Sequence, residues 1–386
     1  RESSQSRYAF DMRTVDESVP VSLVDSDGEG YTTRTVGDDG RSIRMAIKEL
    51  HPGAAYLDSG DTYVVSHLST DDYESTALRT RAREAGAGRL ATEFVCPSCG
   101  EPSPTADTVC DCDTDDATEL ELVSPNSVTA HRSDLLLSNG LHPASELYER
   151  SDTEVQNTYA ERETEVLSFD PTQRYTVRSP EAGTVGTVEY GTFSVLVHTS
   201  SFRAKYRNGD IDADPSRFEV CGDPDCTGVV YRDDGEAHCS ADASHRPDGA
   251  EGSTFARLGY AYETDGIRID LGSSGSSHAF AHGARLALQF LGGVSIRDLT
   301  EVVHDGNSVV DVFDSQEGGA GIARLLLADG DGENFETAVE LMAEQFVCDC
   351  GDGCPLCLYQ YGCDTRNRSD TFDRDRLLEL LDGRLG

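Results

Sequence analysis

The sequence predicts an α+β chain of several modules, β-rich through its first two thirds and α/β at its end. Three observations point that way. Residues 1–270 run in short alternating apolar and polar segments broken by Gly- and Asp-rich turns. Beyond residue 271 the apolar spacing turns helical, and the twelve cysteines fall into three tight groups. A 37% hydrophobic content suffices for burial, and 386 residues exceed what one core usually serves, so two to four modules are expected.

The first module, residues 1–93, is read as β-rich. Val19 to Val24 and Thr62 to Leu68 alternate as strands. The turn His51-Pro52-Gly53 introduces a hairpin, Ala54–Asp58 and Thr62–Ser66, closed by Ser59-Gly60. Residues 94–115 hold Cys96-Pro-Ser-Cys99 and Cys110-Asp-Cys112, two thiol pairs offered by two turns, as a tetrahedral zinc ribbon requires. Reduced thiols without metal would leave those turns with no core.

Residues 116–270 form a second β-rich module, with strands at Gly191–Tyr206 and Ile267–Leu271. Within it, at 217–247, Cys221, Cys226, Cys239 and His245 are separated by four, twelve and five residues, a finger-type spacing. His238 competes for the fourth place, and a site reduced to three thiols is the alternative.

The last module, 271–386, begins with a helix, His278–Leu291, stopped by Gly292-Gly293. A strand, Val309–Phe313, runs into Asp314-Ser315-Gln316-Glu317-Gly318-Gly319-Ala320-Gly321, followed by helices at Ile322–Ala328, Phe335–Phe346 and Asp373–Leu381. The third thiol group, Cys348, Cys350, Cys354 and Cys357, packs four ligands into ten residues. Gly351 and Gly353 permit the sharp turns that a four-cysteine zinc knuckle needs, and Cys363 could substitute for one ligand. Four protein ligands leave no open position, so these two or three zinc ions are expected to be structural.

The charge narrows the function. With 71 acidic against 32 basic residues the net charge is −39, only Lys48 and Lys205 are lysines, and there is no Trp. Such a surface is expected of a protein adapted to molar salt, where the Debye length falls to about 3 Å. It excludes the broad basic face of an ordinary nucleic-acid binder. Phosphate contacts must then be local: Arg79, Arg81, Arg83 and Arg89; Arg203, Lys205 and Arg207, on one strand face with Phe202 and Tyr206 on the other; and Arg366 with Arg368. Each cluster could instead pair with the abundant carboxylates. No apolar run approaches the ~20 residues of a membrane helix and no signal peptide opens the chain, so a cytoplasmic protein without membrane contact is expected. The start at Arg1, in RESSQS, leads us to expect a part of a longer polypeptide.

The strand-to-helix turn after Asp314 aims backbone N–H groups at one spot, which suits an anion, although Glu317 opposes a phosphate; the plainer reading is a tight glycine turn packed on the preceding helix. His278 and His282 share a helix face and could bind metal or phosphate, with no third ligand identifiable from sequence; more often such a pair packs or caps.

His278-Ala-Phe-Ala-His282, VFDSQEGGAG (Val312–Gly321) and CDCGDGCPLCLYQYGCDTRN (Cys348–Asn367) together resemble the MrfA-type zinc-binding domain found at the C-terminus of superfamily 2 DEAD/DEAH box helicases and in a non-motor component of the DISARM phage-defence system. The phrase ELHPGAAYLDSGDTYVV (Glu49–Val65) is similar to the β segment that follows the motor domains in those helicases. The resemblance implies zinc on Cys348, Cys350, Cys354 and Cys357, and marks His278, His282, Asp314, Gly318, Gly319 and Gly321 as motif positions. Gly351 departs from an acidic residue common in the family, which spares the ligands. No GxxxxGK[ST] loop and no DEAD or DEAH box occurs in the sequence, so ATP and magnesium would act only through motor domains outside it. The resemblance therefore implies a DNA-binding accessory portion of a helicase serving DNA repair or phage defence. It is expected to hold a single strand or duplex junction beside motor domains in cis or in trans. The alternative is a standalone DISARM-like adaptor with a separate helicase partner. A hydrolase using His278, His282 and Asp314 is the remaining possibility.

Overall fold

The computed structural model describes residues 18–26, 31–36, 40–72, 94–96, 102–103, 112, 117–132, 155–179, 183–206, 216–223, 225–233, 236–242, 244–245, 247, 252–270, 276–293, 295, 298–304, 309–327, 333–345 and 359–360. The described chain is dominated by β-sheet with few helices.

Its N-terminal part comprises β1 (Ser18–Val19), β2 (Val21–Ser26), β3 (Tyr31–Thr35), β4 (Arg41–Ser42), α1 (Ile43–Glu49), β5 (Ala55–Asp58) and β6 (Asp61–Asp72). The hairpin forms where the sequence placed it. Asp58 pairs with Asp61 across Ser59 (φ 52°) and Gly60 (φ 95°), the two positive φ values of a type I′ turn. Helix α1 was not foreseen. Ile43, Ala46, Ile47 and Leu50 lie at positions 0, 3, 4 and 7, and all four are buried.

A small three-stranded sheet joins β7 (Phe94–Val95), β8 (Pro102–Ser103) and β9 (Thr118–Glu119). Among the described residues the main sheet has 14 strands and continues through β10 (Glu121–Arg132), the long hairpin β11 (Val155–Ser179) and β12 (Gly183–Tyr206), β13 (Ser216–Arg217), β14 (Glu219–Cys221), β15 (Val229–Asp233), β16 (Glu236–Cys239) and β17 (Ser253–Asp270). Strand β17 is its hub. It pairs antiparallel with β12 over residues 258–270, parallel with β10 at 256–258 and antiparallel with β14 at 253–255.

The C-terminal elements are α2 (Ser276–Gly292), β18 (Leu299–Val303), β19 (Val309–Asp314), a 3-10 turn (Ala323–Leu327) and α3 (Glu333–Gln345). Helix α2 ends as its sequence demands: Gly293 takes φ 63° and its N–H donates to the Gln289 carbonyl at 2.9 Å. Antiparallel pairing joins β19 to β17 and β18 to β19. Alternation along β19 sends Val312 to the core under α2, with Phe280, Leu288, Ile269 and Met342, and Phe313 to the core shared with Leu23, Ile47, Tyr63, Phe193 and Tyr262. Glycine at 266 lets the second core close, because a Cβ there would lie 2.5 Å from Phe313 Cβ and 2.7 Å from Phe193 Cε2.

A C-terminal element also differs from expectation. Ile322–Ala328, expected as a helix, is over its described residues the 3-10 turn Ala323–Leu327, with the N–H groups of Ile322 and Ala323 at its start capped by the Asp314 carboxylate. The expected helix Asp373–Leu381 lies outside the described residues. No helix among the described residues is long and apolar enough to cross a membrane.

Candidate metal centres and nucleic-acid strip

Strands β14, β15 and β16 form a finger attached to the start of β17. Cys221 ends β14 and Cys239 ends β16. Between and after them, two turns of the same design present the other two candidates. The Asp223 side chain accepts from the N–H of Asp225 at 2.9 Å, and that of Asp242 accepts from the N–H of Ser244 at 2.7 Å. The Cys226 and His245 amides donate to the carbonyls of those same aspartates at 3.0 and 3.1 Å. Each turn thus delivers a ligand three residues after an Asp.

The four ligand atoms of Cys221, Cys226, Cys239 and His245 all lie within 4.8 Å of one another. Cys226 Sγ is 3.5 Å from Cys239 Sγ, and Cys221 Sγ is 3.6 Å from His245 Nδ1. Zinc bonds of about 2.3 Å to sulfur and about 2.0–2.1 Å to nitrogen set tetrahedral edges of about 3.5–3.8 Å, so the donors fit that ion. Gly228 makes room for them: a Cβ there would meet Ala241 Cβ at 2.7 Å and Cys239 Sγ at 3.0 Å. Burial pushes the Cys226 thiol up to about 12 and also raises that of Cys221, whereas at Cys239 burial is outweighed by hydrogen bonds from the Asp242 and Ala241 backbone and from His245, which lower it. The hydrogen bond to Cys239 raises His245 above its ordinary value.

Geometry chooses between the two histidines. His245 turns Nδ1 to the thiols and Nε2 toward Asp223 (3.7 Å) and Asp242 (3.9 Å), the carboxylate backing that orients a metal-ligating imidazole. His238 precedes Cys239 on β16, where alternation directs neighbours to opposite faces, and it pairs with Tyr231. The two aspartates were not singled out from sequence, although each occupies the same place in an Asp-x-x-ligand phrase.

Of the first thiol group, Cys96 is buried directly after β7 and Cys112 is partly buried. Cys99, Cys110, Cys348, Cys350, Cys354, Cys357 and Cys363 lie outside the described residues, as do Arg207, Arg366 and Arg368. In the cationic strip, Arg203 stands opposite Tyr159 and Lys205 opposite Asn157 near the end of β12. Phe202, on the other face, stacks against the buried His51 ring at 5.9 Å and 17°, and burial lowers His51 to about 4.

The glycine phrase after β19 is a turn around its own anion. The Asp314 carboxylate accepts from the N–H groups of Ala320 (2.6 Å), Ile322 (3.0 Å) and Ala323 (3.0 Å), which removes the basis for an external anion there. Burial raises Asp314 against the lowering by those bonds. Gly318, Gly319 and Gly321 adopt φ of 78°, 68° and 71°, and Glu317 accepts from the Tyr260 hydroxyl at 3.0 Å. His278 and His282 are brought together on α2 with a residue that sequence reading missed, Glu301 of β18. A further group, Glu163, Glu165 and His198, gathers on the β11–β12 hairpin, with His198 Nε2 2.7 Å from Glu165 Oε1.

Fold and site thus define a β-dominated chain with donor groups gathered as a metal site needs. Residues 279–358 match the family model of the MrfA Zn-binding domain. An uncharacterised protein of Methanocaldococcus jannaschii, MJ1572.1, is 34% identical over 93 residues, 24% of this chain and 79% of that protein. The chain belongs to the family that carries the MrfA Zn-binding domain, as the motifs from His278 onward led us to expect. It is also similar to crystal structures of the DUF1998 helicase MrfA. One, bound to DNA, gives a TM-score of 0.40 and 14% identity over 94% of this chain and 34% of that one; another, bound to DNA and AMPPNP, gives 0.35 and 13% over 95% and 31%. The chain spans about a third of the length of those MrfA chains.

Proposed function

We propose that the chain is the C-terminal accessory portion of an ATP-dependent DEAD/DEAH box DNA helicase acting in repair or phage defence. Its zinc-held modules, divided at about residues 93, 115 and 270, hold a single strand or a duplex junction while motor domains supply movement. The observation that carries this reading is the MrfA Zn-binding domain over residues 279–358, since MrfA itself is described as a helicase bound to DNA. The sequence supports the division of labour. Its two lysines, Lys48 and Lys205, follow Ile47 and Ala204, so no Gly-Lys pair exists to build a phosphate loop.

In this reading Cys221, Cys226, Cys239 and His245 hold one structural zinc. Cys96, Cys99, Cys110 and Cys112 hold a second, and Cys348, Cys350, Cys354 and Cys357 a third. With four protein ligands each, the ions order turns and leave chemistry to the motor. The acidic surface repels DNA at most places, so the strand is tracked by Arg203, Lys205 and Arg207, supported by Arg366 and Arg368. The missing phosphate loop equally favours a standalone adaptor that works with a separate helicase.

Fluorescence anisotropy with a labelled single strand and a forked duplex tests the proposal. Neutralising Arg203, Lys205 and Arg207 together should weaken binding and flatten the salt dependence by about 2 logarithmic units per decade of salt on a single strand, the loss of three phosphate contacts. Absence of binding to either DNA at low salt refutes the nucleic-acid role. Motor domains active only when fused favour the first form; a separate motor that the chain stimulates favours the adaptor.

A further inference from the structure

The cluster on α2 and β18 serves neither the finger nor the strand-holding face. His278 and His282, four residues apart, share one face of α2, and both are fully buried. Strand β18 reads Leu-Thr-Glu-Val-Val, and its alternation turns Leu299 and Glu301 inward, leaving Thr300 and Val302 partly exposed. Glu301 is therefore presented to the two imidazoles from a separate element.

Both rings aim the same atom at the same oxygen. His282 Nε2 lies 2.7 Å from Glu301 Oε1, and His278 Nε2 lies 3.7 Å from it, with the rings edge to face at 85° and 4.7 Å between centroids. A hydrogen bond accounts for the first approach. The second is beyond hydrogen-bond reach, yet its nitrogen points to the same place. All three donor atoms lie within 4.8 Å of one another. Two histidines at i and i+4 on a helix, completed by a glutamate from elsewhere, form the donor set of zinc sites built from two imidazoles and one carboxylate.

The other oxygen of the carboxylate faces a cation. Arg285 Nη1 sits 3.3 Å from the other oxygen, Oε2, while Arg285 Nη2 donates to the Leu299 carbonyl at 3.0 Å. The Gln360 amide donates to the His282 carbonyl, fixing the helix beside the site. That ion pair on the second oxygen helps hold the carboxylate in place.

We propose that His278, His282 and Glu301 bind a divalent transition-metal ion, zinc by the chemistry of imidazole and carboxylate donors, through Nε2, Nε2 and Oε1. The ion ties α2 to β18 inside the C-terminal core. Arg285 reduces the negative potential that the ion meets, so this site holds zinc less tightly than one built of thiolates and yields it first to a chelator. The inference stands whether or not the chain serves a helicase.

Zinc-edge anomalous diffraction from crystals of the unmodified full chain grown with zinc, joined to metal analysis of His278→Gln and Glu301→Gln, tests it. A peak among the three side chains and one ion fewer per chain in each variant are expected, with the cysteine-bound ions retained. No peak there in zinc-grown crystals, or an unchanged zinc count in folded variants, overturns the proposal and leaves a hydrogen-bonded ionic network. If a variant fails to fold, the anomalous map of the unmodified chain decides alone.

Discussion

Removal of zinc from the β14–β16 finger should melt the finger and spare the sheet that carries it. Among the described residues, the finger's own buried cluster holds Val230 and Ala237 besides its cysteines, while Val229 packs into the main core. Burial of Val230 and Ala237 contributes about 2–4 kcal/mol, whereas structural zinc in finger peptides contributes about 10–16 kcal/mol. The ion therefore dominates. Strand β17, by contrast, is held along residues 258–270 by β12 and covered by two cores. Hydrogen exchange read by mass spectrometry, before and after exhaustive chelation, should show amides of Val229–Asp233 and Glu236–Cys239 exchanging about a thousandfold faster or more, the effect of losing at least ~4 kcal/mol of local stability. Amides of residues 258–270 should change little. The Cys226→Ser chain should reproduce the result without chelator. Unaltered protection of the finger after metal analysis has verified zinc loss would refute the argument.

Other consequences follow from single contacts. Arg268 binds the fully buried Asp311 through two hydrogen bonds of 2.8 and 2.7 Å and lies 4.6 Å over the Phe169 ring. Arg268→Ala should cost about 3 kcal/mol in urea unfolding, the low end for breaking a buried pair because His304 still reaches Asp311 at 2.6 Å; a loss below about 1 kcal/mol would count against it. At Glu165, burial raises the carboxyl, but the His198 bond and the charges of His198 and Arg257 outweigh it and hold the group below its ordinary value. A depressed folded value means that this stabilisation is complete above about pH 4.5 and fades as pH falls through the folded value; the Glu165→Gln chain should show a flatter melting profile below about pH 4.5. The glycine phrase separates space from backbone strain. Gly319→Ala places a Cβ 2.8 Å from the Asp265 amide nitrogen at φ 68°, whereas Gly321→Ala meets nothing within 4 Å at φ 71°. The second should lose only the ~1–2 kcal/mol of a left-handed residue and the first distinctly more, in paired denaturant melts.

Elements whose cause is local were legible in the residues. Ser59-Gly60 closes a two-residue hairpin because Gly60 takes positive φ without cost, Ser59 being the one non-glycine among the described residues held there, and Gly293 stops α2 through the same freedom. That Cys221, Cys226, Cys239 and His245 would gather was legible because metal chemistry restricts both residue type and spacing. Helix α1 could have been read from Ile43, Ala46, Ile47 and Leu50, but its seven residues sit among strand-like runs that mask a helical period.

What the residues could not show are partners separated along the chain. Glu301 is one acidic residue in an acidic sequence until β19 aligns β18 beneath α2. The turn after Asp314 looks like a cradle for an external anion until the carboxylate at its start is seen to accept three N–H groups.

The sequence alone determined that this chain would be rich in β-structure, with cysteine and histidine donors spaced as a metal site needs, and would carry an MrfA Zn-binding domain, because turn stereochemistry and ligand spacing act over a few residues. Only the tertiary structure decided that His245, and not His238, joins the three thiols, and that Glu301 meets two histidines. Those choices depend on the face each strand turns inward and on which strand lies beside it, and both are set by packing between segments far apart in the chain.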